Sequence, residues 1–247
     1  MRFWLIAGLW CIAQASAQDL FEIHIYEYEP LSWREYSLEA HLNTLPANQQ
    51  THLTLEPTFG LSENFALGFM FLNAWEPGSS PQFAGWRVLP HFYAPESWHM
   101  PFRLAFVAEF SFQKTLYEDN SRRVELRPIL DREFSHWQMV FNPVIERALH
   151  GPGTRRGWNF EPAMLVRWKR PVFSPSVEYY GAIESFNVRP RGQPEVHQLF
   201  LGGDWHTGPL FSVNIGVGFD VGSRGPGVIL KSRFEWDWHN SASVKVP

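Results

Sequence analysis

Residues 227–240 read GVILKSRFEWDWHN, with Val228, Leu230, Phe234, Trp236 and Trp238 at every second position, Ser232 the one exception, and Lys231, Arg233, Glu235 and Asp237 between them. Successive side chains leave a β-strand on opposite faces, so this alternation predicts a strand rather than a helix. Such a strand needs surroundings that accept lipid-like groups on one side and four charges in alternation on the other.

The same period recurs through the chain, and helical spacing is hard to find. About twelve runs alternate in this way, near residues 33–43, 50–60, 63–74, 82–93, 101–113, 122–132, 136–147, 156–168, 173–184, 195–206, 209–219 and 227–238. Short links such as GLSE, APESWHMP, DREFSH, KRPV and HTGP alternate with longer polar ones such as NTLPANQQ, QKTLYEDNS and ESFNVRPRGQP. An even number of strands joined by short and long links in turn is the connectivity of an antiparallel transmembrane β-barrel, with periplasmic turns and extracellular loops. The expected fold is therefore all-β.

The two faces of each run agree. Phe102, Leu104, Phe106, Ala108, Phe110 and Phe112 oppose Arg103, Ala105, Val107, Glu109, Ser111 and Gln113, and Phe211, Val213, Ile215, Val217 and Phe219 oppose Ser212, Asn214, Gly216, Gly218 and Asp220. In a water-soluble sandwich the apolar face would be the core; in a barrel it faces lipid and the charges face a lumen. Tryptophan separates the two. Trp33, Trp98, Trp137, Trp168, Trp205, Trp236 and Trp238 all fall at the short-link end of their strands, while Trp75 and Trp158 fall at the other. A membrane-interface belt accounts for that clustering, which a core does not.

Residues 1–17 read as an export signal: Arg2 supplies the charge, FWLIAGLW the apolar centre and Ala15-Ser16-Ala17 the cleavage site. The single cysteine, Cys11, lies inside it, and the bulky Trp10 before it argues against lipid modification. The expected organisation is a signal over 1–17, an N-terminal periplasmic or plug segment over 18–32, a barrel over 33–238 and a polar tail over 239–247. Residues 20–29, LFEIHIYEYE, also alternate, yet a thirteenth strand would break the even count. Pro57, Pro90, Pro128, Pro143, Pro162 and Pro175 fall within or beside the strands, so several are expected to bulge or end early. The chain closes on HNSASVKVP, which leaves Trp238 to serve as the aromatic signal read by the barrel-assembly machinery.

Several pieces resemble bacterial outer-membrane barrels of the transporter family linked to the phenol meta-degradation pathway. The likeness lies in YEYEP (26–30), HLTLEPTFGLSENFALGFMF (52–71) and VNIGVGFDVGSRGPGVILKSRFEW (213–236). It implies an outer-membrane channel for small solutes, hydrophobic or aromatic ones included.

Projecting the alternation inward predicts a lumen lined by Glu39, His41, His52 and Glu56, then Arg103, Glu109, Glu125, Arg127 and Asp131, then Asn142, Glu146, Glu161 and Arg167, and finally Glu178, Glu184, Asp204, Lys231, Arg233, Glu235 and Asp237. Charges in hydrocarbon cost roughly 2–4 kcal/mol each for basic groups at midplane, so these groups face water or one another. Acids outnumber bases by roughly two to one, which favours cations or polar neutral solutes in any open path. The function expected is a passive or gated channel. Its alternatives are a closed barrel working through loops such as YEDNSRR and NVRPRGQP, and a lipid or ester hydrolase.

For the hydrolase, Ser135-His136 is adjacent in sequence, which points the side chains apart, and no G-x-S-x-G elbow occurs. His41 and His52 with Glu39 make a weak metal site, for which solvated histidines are the plainer account. Glu56 and Glu161, in similar LEP and FEP settings, read as partners for Arg103, Arg127 or Arg167 rather than an acid-base pair. No cofactor motif appears, and a net charge of -4 gives no support for nucleic-acid binding. Membrane lipid, a small solute and the assembly machinery are the partners expected.

Overall fold

The computed structural model describes residues 19–47, 49–75, 78–182, 196–221 and 227–238. These form twelve strands: β1 (Tyr36–Leu45), β2 (Gln50–Ser62), β3 (Phe65–Trp75), β4 (Gln82–Tyr93), β5 (Arg103–Gln113), β6 (Arg122–Phe134), β7 (Trp137–His150), β8 (Trp158–Trp168), β9 (Phe173–Ala182), β10 (Val196–His206), β11 (Phe211–Asp220) and β12 (Val228–Trp238). Each pairs antiparallel with the next, and β1 pairs with β12 from Tyr36 opposite Trp238 to Thr44 opposite Leu230. The sheet is thus a closed barrel, which leaves no strand edge open for pairing with another chain. The signal, the polar tail, Glu184 and the NVRPRGQP loop lie outside the described residues.

The strands match the alternating runs to within a few residues at each end. One link differs. Pairing of β1 with β2 runs to Leu45 opposite Gln50, so the first of the expected long loops shrinks to a link no longer than the KRPV turn between β8 and β9.

The prolines do not end strands. In the β2–β3 ladder, pairing passes from Leu55 opposite Phe71 to Thr58 opposite Gly68; in β4–β5, from Val88 opposite Phe110 to His91 opposite Val107; in β6–β7, from Leu126 opposite Ile145 to Leu130 opposite Phe141. Pro57, Pro90, Pro128 and Pro143 sit in those gaps, where a missing N–H opens the ladder without shifting register. Register shifts occur instead between Gly60 and Ser62, at Leu72/Asn73 and at Arg122/Arg123.

Outside, the barrel is apolar. Phe59, Phe71, Phe92, Phe110, Leu201, Ile215, Val217 and Leu230 are exposed, while the alternate positions turn inward and are buried. At the short-turn end, Trp137 stacks on Trp168 with ring centroids 6.1 Å apart, Trp205 lies 4.7 Å from Phe173, Trp236 5.0 Å from Phe211, Trp238 5.2 Å from Tyr36 and Trp98 6.4 Å from Phe92. Trp33 is exposed beside them, just ahead of β1, and Trp236 is half-buried. These rings form a girdle at one rim. At the other, Trp86 stacks on Phe112 at 4.4 Å, Trp75 closes β3 and Trp158 opens β8.

Candidate functional site: a barrel interior occupied by residues 19–31

An extended chain inside a barrel cannot join the ladder, so its backbone polar groups need other partners. Wall side chains supply them. Asn43 donates to the Leu20 carbonyl at 2.9 Å and Thr54 to the Phe21 carbonyl at 2.7 Å; Asn142 accepts from the Tyr26 N–H and donates to its carbonyl, both at 3.0 Å; Asp131 accepts from the Tyr28 N–H at 3.1 Å. These partners come from β1, β2, β6 and β7, and residues 21–28 are buried on both of their alternating faces. The segment therefore runs down the bore. Asp19 lies at the long-loop end against Arg87 and Arg123, and the Tyr28 hydroxyl reaches the Ala94 carbonyl at the turn end, from which the chain enters β1.

Charge fastens the segment on several sides. Glu22 lies 2.6 Å from Arg87 and 3.0 Å from Arg127, and Arg87 also reaches Glu109 at 3.1 Å. Arg127 bonds Glu125 at 2.5 Å and its guanidinium lies 4.3 Å from the centre of the Tyr26 ring. Arg123 bridges Asp19 at 2.7 Å and Glu146 at 2.6 Å. Burial raises the Asp19 carboxyl, but Arg87 and Arg123 more than reverse that and hold it below the usual carboxylate range. Further down, Arg167 joins Glu27 to Asp204, the latter at 2.7 Å, and Arg233 meets His24 at 2.7 Å, Glu39 at 3.2 Å and Glu235 at 3.5 Å. Lys231 pairs with Glu178 at 2.5 Å, and Asn214 donates to Asp204 at 2.9 Å.

Among the described residues, cavities open at both ends of the bore. A cavity of about 240 Å³ opens at the loop end among Asp19, His52, Arg123, Glu125, Glu146 and Glu161, and one of about 370 Å³ at the turn end among Tyr28, Glu96, Phe102, Arg103, Asp131 and Glu133. Between them the packing leaves pockets of about 50 Å³ and 10 Å³, room for a few waters at most.

Most of the expected inward charges meet, but through the segment. Arg127 and Arg167 bind Glu22 and Glu27 rather than Glu56 or Glu161. Glu56 instead faces His41 at 3.4 Å and accepts from the Tyr26 hydroxyl at 3.3 Å, whereas Glu161 borders the loop-end cavity, so the two carboxylates are not brought together. Arg103 sits at the turn-end mouth, 2.9 Å from Asp131 and 2.7 Å from Glu133. His41 and His52 are not cross-strand partners: His41 stands opposite Thr54, and His52 stands opposite Asn43 with its ring edge-on to Phe21 at 4.6 Å. Ser135 and His136 are both exposed in the β6–β7 turn.

Two wall cations escaped the sequence reading. Arg87 and Arg123 share the inward parity of Leu89, His91 and Glu125, so alternation alone finds them once the strand ends are fixed. The acids Asp19, Glu22 and Glu27 carry no such signal, because nothing in the alternation of residues 20–29 says what would surround them.

No protein-family model matches the chain, and no curated protein matches it, so the likeness to the phenol-linked transporters stays one of strand and turn pattern. Among solved structures the chain is similar to the "KdgM porin", with TM-score 0.51, 10% identity and coverage of 82% of this chain and 99% of that one. The "KdgM porin in complex with disordered oligogalacturonate" gives 0.50 over the same shares at 10% identity. The "CymD monoaromatic hydrocarbon channel" gives 0.46 at 8% identity over 85% of this chain and 90% of that one. At 10% identity the likeness to the porin establishes the barrel fold alone.

Proposed function

We propose that this chain is an outer-membrane β-barrel that conducts small molecules, and that residues 19–31 keep the bore closed until they shift. The observation that carries the reading is a closed barrel with an apolar outside, a tryptophan girdle at one rim and a charged, hydrogen-bonded inside. Only a bilayer makes that exterior favourable, since water would have to hydrate a continuous apolar band. The fold shared with a porin supports a conducting role. The acid-rich wall, Glu39, Glu56, Glu109, Glu125, Asp131, Glu146, Glu161, Glu178, Asp204 and Glu235 against Arg87, Arg103, Arg123, Arg127, Arg167, Lys231 and Arg233, favours cations or polar neutral solutes over hydrophobic ones.

A second reading, a closed barrel acting through its loops, draws support from the ion pairs that fasten the segment. Planar-bilayer recording separates the two. Unit current steps from the full chain, larger or more frequent once residues 19–29 are deleted, are the expected result. Silence from both chains, each folded by its heat-dependent mobility on a detergent gel, eliminates the channel in favour of the closed barrel.

A further inference from the structure

Where the segment passes β1 and β2, three potential metal ligands converge. His24 of the segment and Glu39 and His41 of β1 each offer an atom, all within 4.8 Å of one another. The Glu39 carboxylate oxygen Oε2 lies 3.1 Å from His41 Nε2 and 3.8 Å from His24 Nδ1, and Glu56 Oε2 approaches His41 Nε2 from the other side at 3.4 Å. Donors at 2.0–2.1 Å around a tetrahedral ion stand roughly 3.3 Å apart, and the two carboxylate–imidazole separations, 3.1 and 3.8 Å, bracket that value, with all three atoms within 4.8 Å of one another.

The histidine nitrogens are the telling atoms. His24 and His41 are more than nine-tenths buried, and neither His24 Nδ1 nor His41 Nε2 makes a hydrogen bond. Two carboxylates crowd His41 Nε2, so something cationic belongs between them: a proton or a metal ion. A proton on Nε2 would point outward in the ring plane, between carboxylate oxygens at 3.1 and 3.4 Å, and aligns with neither as a hydrogen bond. The Tyr26 hydroxyl donates to Glu56 and orients it, as groups beyond the ligands commonly do in metal sites.

We infer that His24, Glu39 and His41 form a binding site for a divalent transition-metal ion of the zinc class that ties the N-terminal segment to the barrel wall, with Glu56 adding negative charge beside His41. Imidazole and carboxylate together select zinc over calcium or magnesium, which take oxygen alone. Two carboxylates neutralise the ion. Arg233 is the competitor: it donates to His24 Nε2 at 2.7 Å, which fixes the remaining proton on Nδ1. Metal at Nδ1 moves that proton to Nε2, so Arg233 must release His24 and keep Glu39 and Glu235, both already within 3.5 Å. The site holds whether or not the chain conducts.

The test is zinc titration of the folded, chelator-stripped full chain in detergent, with cobalt as the spectroscopic probe. One zinc per chain and tetrahedral cobalt d–d absorption are expected. His24→Ala leaves every strand pair intact, because His24 is outside the ladder, and should weaken zinc about tenfold or more while removing the cobalt band. Arg233→Gln should tighten binding roughly three- to tenfold by removing the rival cation. Wild-type chain that takes up less than one zinc, or binding that His24→Ala leaves unchanged, overturns the assignment.

Discussion

Arg167 grips Glu27 with both arms of its guanidinium, Nη1 to Oε2 at 2.5 Å and Nη2 to Oε1 at 2.6 Å. A two-pronged contact of this kind fixes direction as well as distance, and it anchors the segment to β8 near the turn end. Glu27→Ala leaves Arg167 with Asp204 and Gln138 only. The expected cost is about 1–3 kcal/mol, read as a lower denaturant midpoint, together with more frequent openings in a planar bilayer. An unchanged midpoint and unchanged conductance would show that this clasp holds nothing.

Gly60 offers a second handle on the segment. Its N–H donates to the Glu35 carbonyl at 2.8 Å, and a methyl group added there would stand 1.9 Å from the Ser32 carbonyl oxygen and 2.6 Å from that of Leu31. Backbone cannot yield as a side-chain tip can. Gly60→Ala should therefore push the link between the segment and β1 aside, at roughly 1–3 kcal/mol. Limited proteolysis within residues 19–33, absent in the parent chain, is the readout.

The outward face carries its own test. Phe106 and Val213 lie on that face, Arg233 on the inward one. Spin labels at Phe106 and Val213 should be relaxed by oxygen dissolved in the bilayer, and a label at Arg233 should not. Phe106→Arg should cost roughly 2–4 kcal/mol in lipid if that position is near midplane. Accessibility to water-borne relaxant at Phe106 would instead turn the barrel inside out.

Ion preference follows from which charges stay paired. Asp19, Glu22 and Glu27 neutralise Arg87, Arg123, Arg127 and Arg167, and removing the segment strips those cations of part of their counter-charge. The full chain should favour cations, and a chain lacking 19–29 should favour them less, as a smaller reversal potential in a potassium chloride gradient. A firm anion preference in the full chain would contradict the acidic interior.

Strand number and pairing order were legible in the sequence, because period-2 alternation survives one strand at a time. Proline was harder to read: Pro90 and Pro143 sit within continuous strands, since one missing N–H can be absorbed where the neighbouring pairs keep register. The alternation of residues 20–29 was visible but ambiguous. Strand and threaded segment share the same pattern, and only side chains from distant strands, such as Asn142 standing in for a neighbouring backbone at Tyr26, tell them apart. His24 and His41, seventeen positions apart, likewise meet only because the chain doubles back through the bore.

The path of residues 19–31 also constrains the order in which the molecule is made. Because the segment leads directly into β1, and β1 meets β12 to complete the ring, the seam between the first and last strands shuts around a thread that one of them continues. Either the sheet curls about that thread as it zips, with salt bridges acting as the mandrel, or a finished cylinder must be fed a highly charged peptide lengthwise. The first route wets and pairs each carboxylate as it arrives; the second drags Asp19 and Glu22 past every arginine in turn.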